Sequence, residues 1–383
     1  MKYSASKEIH CLQTHKSWSE KGASMKSITR RTFIGAMGAG AFVALTGCGS
    51  PAGNSSATSS ASNSPSAKKE GVPKIILVTD IGTVHDQSFN ELSWSGLVTL
   101  NGKYGWDVSY IDSVDEPDYK TRLDQAVADG ADLIWGVGFL MGDAVREAAQ
   151  EYPDVPFGII DVAYEDPLPN LTGITFRQEE CSFAVGYIAA RTTKSNKVGF
   201  VGGVDSPQMQ LFEQGYYAGI EYANKEQGLS VTYQGEWSGS FTDDALGQSM
   251  AYDMITDGCD VIYHAAGVVG LGVIRACSEA GVWAIGVDQD QSYLAPGTVI
   301  TSALKRVDQA IAHTTERIIS GELKGGSNIV LGATEEAVGF VSSHDLLPDD
   351  LNNDALQVME KIKAGEIIVP CTADELKAYV ASL

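Results

Sequence analysis

Residues 74–101, KIILVTDIGTVHDQSFNELSWSGLVTLN, decide the fold. The first six, KIILVT (74–79), are a β-branched and aliphatic run that closes on Asp80 and Gly82, the pattern of a strand buried on both faces. The stretch from Asp86 to Asn101 has helical length and mixes polar with apolar residues, as a helix with one face on a core does. A strand followed by a helix of this kind is half of a crossover unit.

Working outward, the same alternation continues along the chain. Strand candidates are 74–79, 106–111, 132–137, 156–161, 197–202, 231–236, 260–265 and 283–288, and helix candidates lie near 86–101, 118–129, 140–151, 178–192, 208–227, 242–257, 269–280 and 303–320. Parallel strands need crossover connections, so the alternation implies an α/β protein with two doubly wound parallel-sheet lobes, joined near Thr172–Phe176. The expected division is 71–176 plus about 303–332 for lobe I and 177–302 plus about 333–383 for lobe II. Ligands of open parallel sheets bind outside the carboxyl ends of the strands, so the cleft between the lobes is the place to look. Asp80, Asp161, Gly267 and Asp288 each end a predicted strand there, although Asp and Gly also cap helices and form turns.

The amino-terminal segment carries an export signal. Phe33 to Leu45 is a weakly apolar run behind Arg30 and Arg31, followed by Thr46 and Gly47, the layout of a signal peptide over residues 1–47. The run is too short for a membrane span, which takes about 20 apolar residues. Leu45-Thr46-Gly47-Cys48 resembles a lipobox, with Cys48 acylated and the chain cut before it. Thr29-Arg30-Arg31-Thr32-Phe33-Ile34 resembles a twin-arginine signal, with general secretion the alternative route. The signal reads more naturally from Met25, a candidate true start. Residues 48–70 are rich in Ser, Ala, Asn and Pro and cannot bury a core, so a flexible tether is expected.

Composition narrows the function. Lys and Arg total 27 against 49 Asp and Glu, a formal charge of −22, with no basic patch of the kind that nucleic acid requires. Cys181, Cys259, Cys277 and Cys371 form no CxxC pair and no cluster with histidine, so buried thiols are expected and neither metal nor cofactor is implied. An oxidising location would also permit a disulfide.

The segment Val78–Asn90 resembles the opening signature of the basic membrane protein family, the PnrA-like substrate-binding lipoproteins of ABC transporters. A second block, Ile285–Gln291 running on through Thr301–Val307, is similar to the family's other signature. Shorter matches occur at Gly202-Gly203, Phe212–Tyr216, Gly239–Asp243 and Gly267, in the same order along the chain. His85 departs from the small or acidic residue usual at its position, and the first loop keeps one glycine, Gly82, of a pair.

The resemblance implies a periplasmic binding protein type I-like fold that holds a purine nucleoside (inosine, guanosine or adenosine) between its lobes. It implies delivery to an ABC permease and its ATPase, from an extracytoplasmic position anchored to the cell membrane through Cys48. In that reading Phe89 stacks on one face of the base and Phe212 or Phe241 on the other. Stacking of this kind contributes about 1–3 kcal/mol per base. Asp80, Asp161 and Asn90 suit the base edge. Asp288 and Lys305 suit the ribose, with Gly267 allowing close backbone approach. Lys305 could instead be a surface lysine at a helix start. Competing readings are a nucleoside or glycoside hydrolase using two of the aspartates, and a binding protein for a sugar, a flavin or another small metabolite. A transcriptional regulator of related architecture would need a basic helix-turn-helix segment that the sequence lacks.

Overall fold

The computed structural model describes residues 71–342 and 345–383; the predicted signal peptide, Cys48 and the tether lie outside the described residues. Strand β1 (Lys74–Ile81) is buried from Lys74 to Asp80, as its unbroken apolar run requires of a strand covered on both faces. Helix α1 (Phe89–Tyr104) starts three residues later than the sequence reading places it. The Asp86 carboxylate stays outside the helix and accepts the backbone N–H groups of Ser88 (2.9 Å), Asn90 (2.9 Å) and Glu91 (3.0 Å). It thereby satisfies donors that a helix start leaves open. Gly105, at φ 69°, ends the helix in the left-handed conformation.

The first sheet continues with β2 (Asp107–Ser113), β3 (Leu133–Val137), β4 (Phe157–Ile160) and β5 (Leu171–Phe176). Helices α2 (Asp118–Ala128) and α3 (Gly142–Glu151) connect them. The second half repeats the plan. After α4 (Gln178–Thr192) come β6 (Lys197–Gly202), α5 (Pro207–Gln227), β7 (Thr232–Trp237) and α6 (Asp244–Thr256). Then follow β8 (Val261–Ala265), α7 (Val268–Ala280), β9 (Trp283–Asp288) and β10 (Val299–Lys305). Helix α8 (Val307–Ile319), β11 (Ser327–Leu331), β12 (Val338–Phe340), α9 (Asp349–Lys363) and α10 (Ala373–Ser382) complete the chain.

The two sheets have matching strand orders, β11-β5-β4-β3-β1-β2 and β12-β10-β9-β8-β6-β7. Pairing is parallel except for β12, which runs antiparallel to β10 at one edge. The eight predicted strands are all present, two of them, β6 and β9, with the predicted ends and the rest with ends shifted by at most two residues.

Four differences have physical causes. The joint at Thr172–Phe176 is itself a strand, β5, paired between β4 and β11. Residues 303–305, read as helix and assigned to the first lobe, are the end of β10 in the second sheet, and helix begins only at Val307. Strands β11 and β12 were not anticipated: one is half exposed at a sheet edge and the other is three residues long. Helices α9 and α10 follow the last strand and belong to no crossover unit, so the strand–helix alternation does not predict them.

Among the described residues the chain passes between the sheets after β5, after β10 and between β11 and β12. Arg177 N donates to Leu331 O (2.8 Å) and Arg306 N to Ala337 O (2.9 Å), so these passages run side by side. Helix α8 covers the first sheet, where Trp135 of β3 donates through Nε1 to Thr315 Oγ1 at 2.9 Å. Asn328 of β11 exchanges two hydrogen bonds with the backbone of Tyr164, at 3.1 and 2.7 Å. Helices α9 and α10 pack on α4 and α5 over the second sheet. Cys181, Cys259 and Cys277 are buried free thiols as expected, while Cys371 is only partly buried.

Candidate ligand-binding site

In each sheet the chain moves outward in opposite directions from one pair of neighbouring strands, β1 and β3 in the first and β6 and β8 in the second. Their carboxyl ends bound a crevice at the reversal point. The two crevices face one cleft that opens to solvent, and all nine residues singled out from sequence line it.

From the first sheet come Asp80 at the end of β1, Gly138 and Phe139 after β3, and Asp161 after β4; Asp86, Phe89 and Asn90 come from the start of α1. From the second come Met209 and Phe212 in α5, Phe241 and Thr242 after β7, Ala265 to Val268 after β8, Asp288 ending β9 and Lys305 ending β10.

Corresponding positions in the two sheets carry corresponding features. Asp161 follows β4 at φ 67° and Asp288 ends β9 at φ 64°, a left-handed conformation that aspartate tolerates better than most residues. Gly138 after β3 (φ 101°) and Gly267 after β8 (φ 57°) occupy matched turns. At Gly138 a Cβ would sit 2.3 Å from Asp80 Oδ2, so glycine here is a condition of the carboxyl's position. Gly203 likewise leaves room for the Phe241 ring, which a Cβ would meet at 2.1 Å.

Polar contacts lock most of the wall in place. Lys305 is buried, contrary to the surface alternative, and its Nζ donates across the cleft to Asp161 Oδ2 at 2.5 Å. The ammonium lies 4.8 Å from the centre of the Phe89 ring, 5.2 Å from Phe176 and 5.7 Å from Phe212, an aromatic surround that favours a desolvated cation. Ser88 Oγ donates to Asp288 Oδ2 at 2.6 Å, and Asn90 Nδ2 donates to Asp80 Oδ1 at 3.2 Å. Two acceptors in the cavity wall, Asn90 Oδ1 and Asp161 Oδ1, are buried and unpaired. Phe241 meets Phe139 of the opposite lobe edge-on, with ring centres 6.3 Å apart.

Burial dominates the titration of the wall. It raises the Asp80 carboxyl to about 8, against the lowering effect of the Asn90 hydrogen bond and with help from the nearby Asp86 and Asp161 charges. Burial also raises Asp288 to about 6, with Lys305 and the Ser88 hydroxyl pulling the other way.

Asp86, Gly138, Phe139, Met209 and Thr242 were not singled out from sequence. Gly138 and Phe139 directly follow a predicted strand, so the strand-end rule that selected Asp161 would have found them.

No helix among the described residues is long and apolar enough to cross a membrane. Comparison with known proteins agrees with the geometry. Residues 74–373 match the family described as ABC transporter substrate-binding protein PnrA-like. Basic membrane protein A of Borreliella burgdorferi is 38% identical over 314 residues, covering 81% of this chain and 91% of that protein. The CD4+ T-cell-stimulating antigen of Listeria monocytogenes serovar 1/2a is 35% identical over 319 residues, covering 77% and 87%. A crystal structure of ABC transporter system solute-binding proteins from Aeropyrum pernix superposes with a TM-score of 0.73 at 28% identity, over 80% of this chain and 98% of that one. The arrangement of two matched sheets around one cleft and the match along nearly all of it lead to one assignment: the chain belongs to the PnrA-like family of ABC transporter substrate-binding proteins.

Proposed function

We propose that the chain captures a purine nucleoside, whether inosine, guanosine or adenosine, in this cleft and hands it to a membrane permease powered by an ATPase. The observation that carries the reading is the combination of phenylalanines from both lobes with two buried, unpaired acceptors in one cavity wall. A flat heterocycle fills the space between rings, and its edge or its sugar brings the N–H and O–H donors that Asn90 Oδ1 and Asp161 Oδ1 need. Phe89 stacks on one face of the base, with Phe212 or Phe241 opposite. Asp80, Asn90 and Asp161 meet the base edge, and Asp288 and Lys305 meet the ribose beside Gly267. Acylation of Cys48 holds the protein on the outer face of the cytoplasmic membrane, and the tether gives it reach to the permease.

Native mass spectrometry of the purified protein identifies any solute carried through purification, and calorimetric titration with inosine, guanosine and adenosine measures the affinity. A carried purine nucleoside and submillimolar binding support the reading. A carried sugar or flavin, or no binding of any of the three nucleosides, overturns the ligand assignment. Release of free base or ribose on incubation overturns the receptor role in favour of a hydrolase.

A further inference from the structure

A fully buried glutamine outside the cavity wall joins the two lobes behind it. Gln291 lies in the loop after β9 with no exposed surface, and its backbone N–H donates to Ser302 Oγ of β10 at 3.1 Å. Its side-chain Oε1 accepts the Val287 N–H at 3.0 Å and lies 3.0 Å from His264 Nε2 of β8. An amide oxygen has no proton to give, so the imidazole is the donor through Nε2–H. Burial pushes the His264 pKa down to about 4, which keeps the ring neutral at neutral pH. Gly270 leaves it space, since a Cβ there would sit 1.9 Å from Nδ1.

With the oxygen held on two sides, the amide nitrogen of Gln291 points at the other lobe and donates to the Gln87 carbonyl at 3.0 Å. Gln87 has φ 54°, a conformation a glutamine adopts at a cost, and the next residue is Ser88, whose hydroxyl donates to Asp288. Gln87 and Ser88 immediately precede Phe89 and Asn90. Two adjacent residues of lobe I are therefore clasped by Asp288 and Gln291 of lobe II.

We infer that Gln291 is a positioning residue of the cleft: its amide N–H, aimed by His264 and the Val287 backbone, holds the Gln87 carbonyl and so docks the Phe89–Asn90 edge against the Asp288 wall. It touches no solute itself. It acts by closing the lobes and slowing escape, which places its effect in the dissociation rate. The inference rests on the reading of the cleft as the solute site, but not on the identity of the solute.

The test is Gln291→Glu, which keeps both acceptor contacts and replaces the donor facing Gln87 by an oxygen. Ser88→Ala removes the neighbouring clasp from the other lobe and serves where the first variant folds poorly. Stopped-flow measurement with inosine, well below each variant's melting temperature, should show dissociation faster by about tenfold, the scale of one lost hydrogen bond, with association little changed. Unchanged dissociation in both variants overturns the inference. So does slower association alone, or a lower melting temperature with both rate constants intact, since either marks a merely structural residue. If the unmodified protein does not bind inosine, the same rates are read with guanosine or adenosine; if it binds none of the three, the nucleoside reading fails and small-angle X-ray scattering decides the clasp. A larger radius of gyration in Gln291→Glu than in the unmodified protein supports it, and an equal radius overturns it.

Discussion

Burial holds the Asp80 carboxyl at a pKa of about 8, so at neutral pH it is mostly protonated: one oxygen accepts from Asn90 while the other can donate into the cleft. An unfolded aspartate titrates at 3.8. Across the interval between, the folded chain keeps a proton that the unfolded chain has lost, so stability falls as pH rises through that window. Asp80→Asn cannot ionise and should melt above the unmodified protein at about pH 8, with the difference shrinking as pH falls and gone only below about pH 4. Asp288, raised to about 6, acts in the same direction and stays in the variant, so the slope is reduced rather than abolished. Scanning calorimetry across that range checks this; parallel curves for the two proteins would show that Asp80 ionises freely in the fold. Phe89→Ala should weaken inosine binding by about 1–3 kcal/mol, the worth of one stacked base, in a calorimetric titration. An unchanged dissociation constant would mean that Phe89 only packs in the core and touches no solute. The aspartates were legible because each closes an apolar run, and strand ends face the cleft in this kind of sheet. Lys305 was harder to place, because what buries it is the partner carboxylate at Asp161 and three phenylalanine rings, 93 to 216 residues away at Phe212, Phe176, Asp161 and Phe89.

At the scale of elements, six of the eight strands the sequence reveals are buried along almost their whole length, and the half-exposed edge strands β2 and β7 were legible from their β-branched and aromatic residues. Strand β10 escaped because VITSALK passes into α8 with neither glycine nor proline between them, so its end reads as the first turn of the helix. Strand β11 alternates exposed and half-buried residues at an edge, and β12 is too short for any period to show. Packing between helices was also hidden. Helices α4 and α5 touch backbone to backbone at Gly186, Gly215 and Gly219, and a Cβ on Gly219 would lie 2.0 Å from the Phe183 carbonyl oxygen. The obstacle is main chain, so the helices themselves would have to part. Gly219→Ala should therefore lower stability by about 1–3 kcal/mol. Urea unfolding should show a lower midpoint at unchanged slope, and a midpoint equal to that of the unmodified protein would mean that α5 shifts freely.

Over the whole molecule, charge and shape select against anions. The full chain carries −22. The cavity wall presents Asp86, Asp161 and Asp288, beside a mostly protonated Asp80, against one cation, Lys305, which is already bound to Asp161 and enclosed by aromatic rings. A neutral solute can enter and replace water at the unpaired acceptors. A phosphate could gain Lys305 only by displacing Asp161, and its remaining charge would sit among carboxylates, where like charges in contact cost several kcal/mol. Inosine monophosphate should therefore bind at least about a hundredfold more weakly than inosine in competitive calorimetry. The difference should persist at raised salt, because charges this deeply buried are poorly screened. Comparable affinities would mean that the wall rearranges to free Lys305. The bond of Lys305 to Asp161 would then be a gate that anionic solutes open.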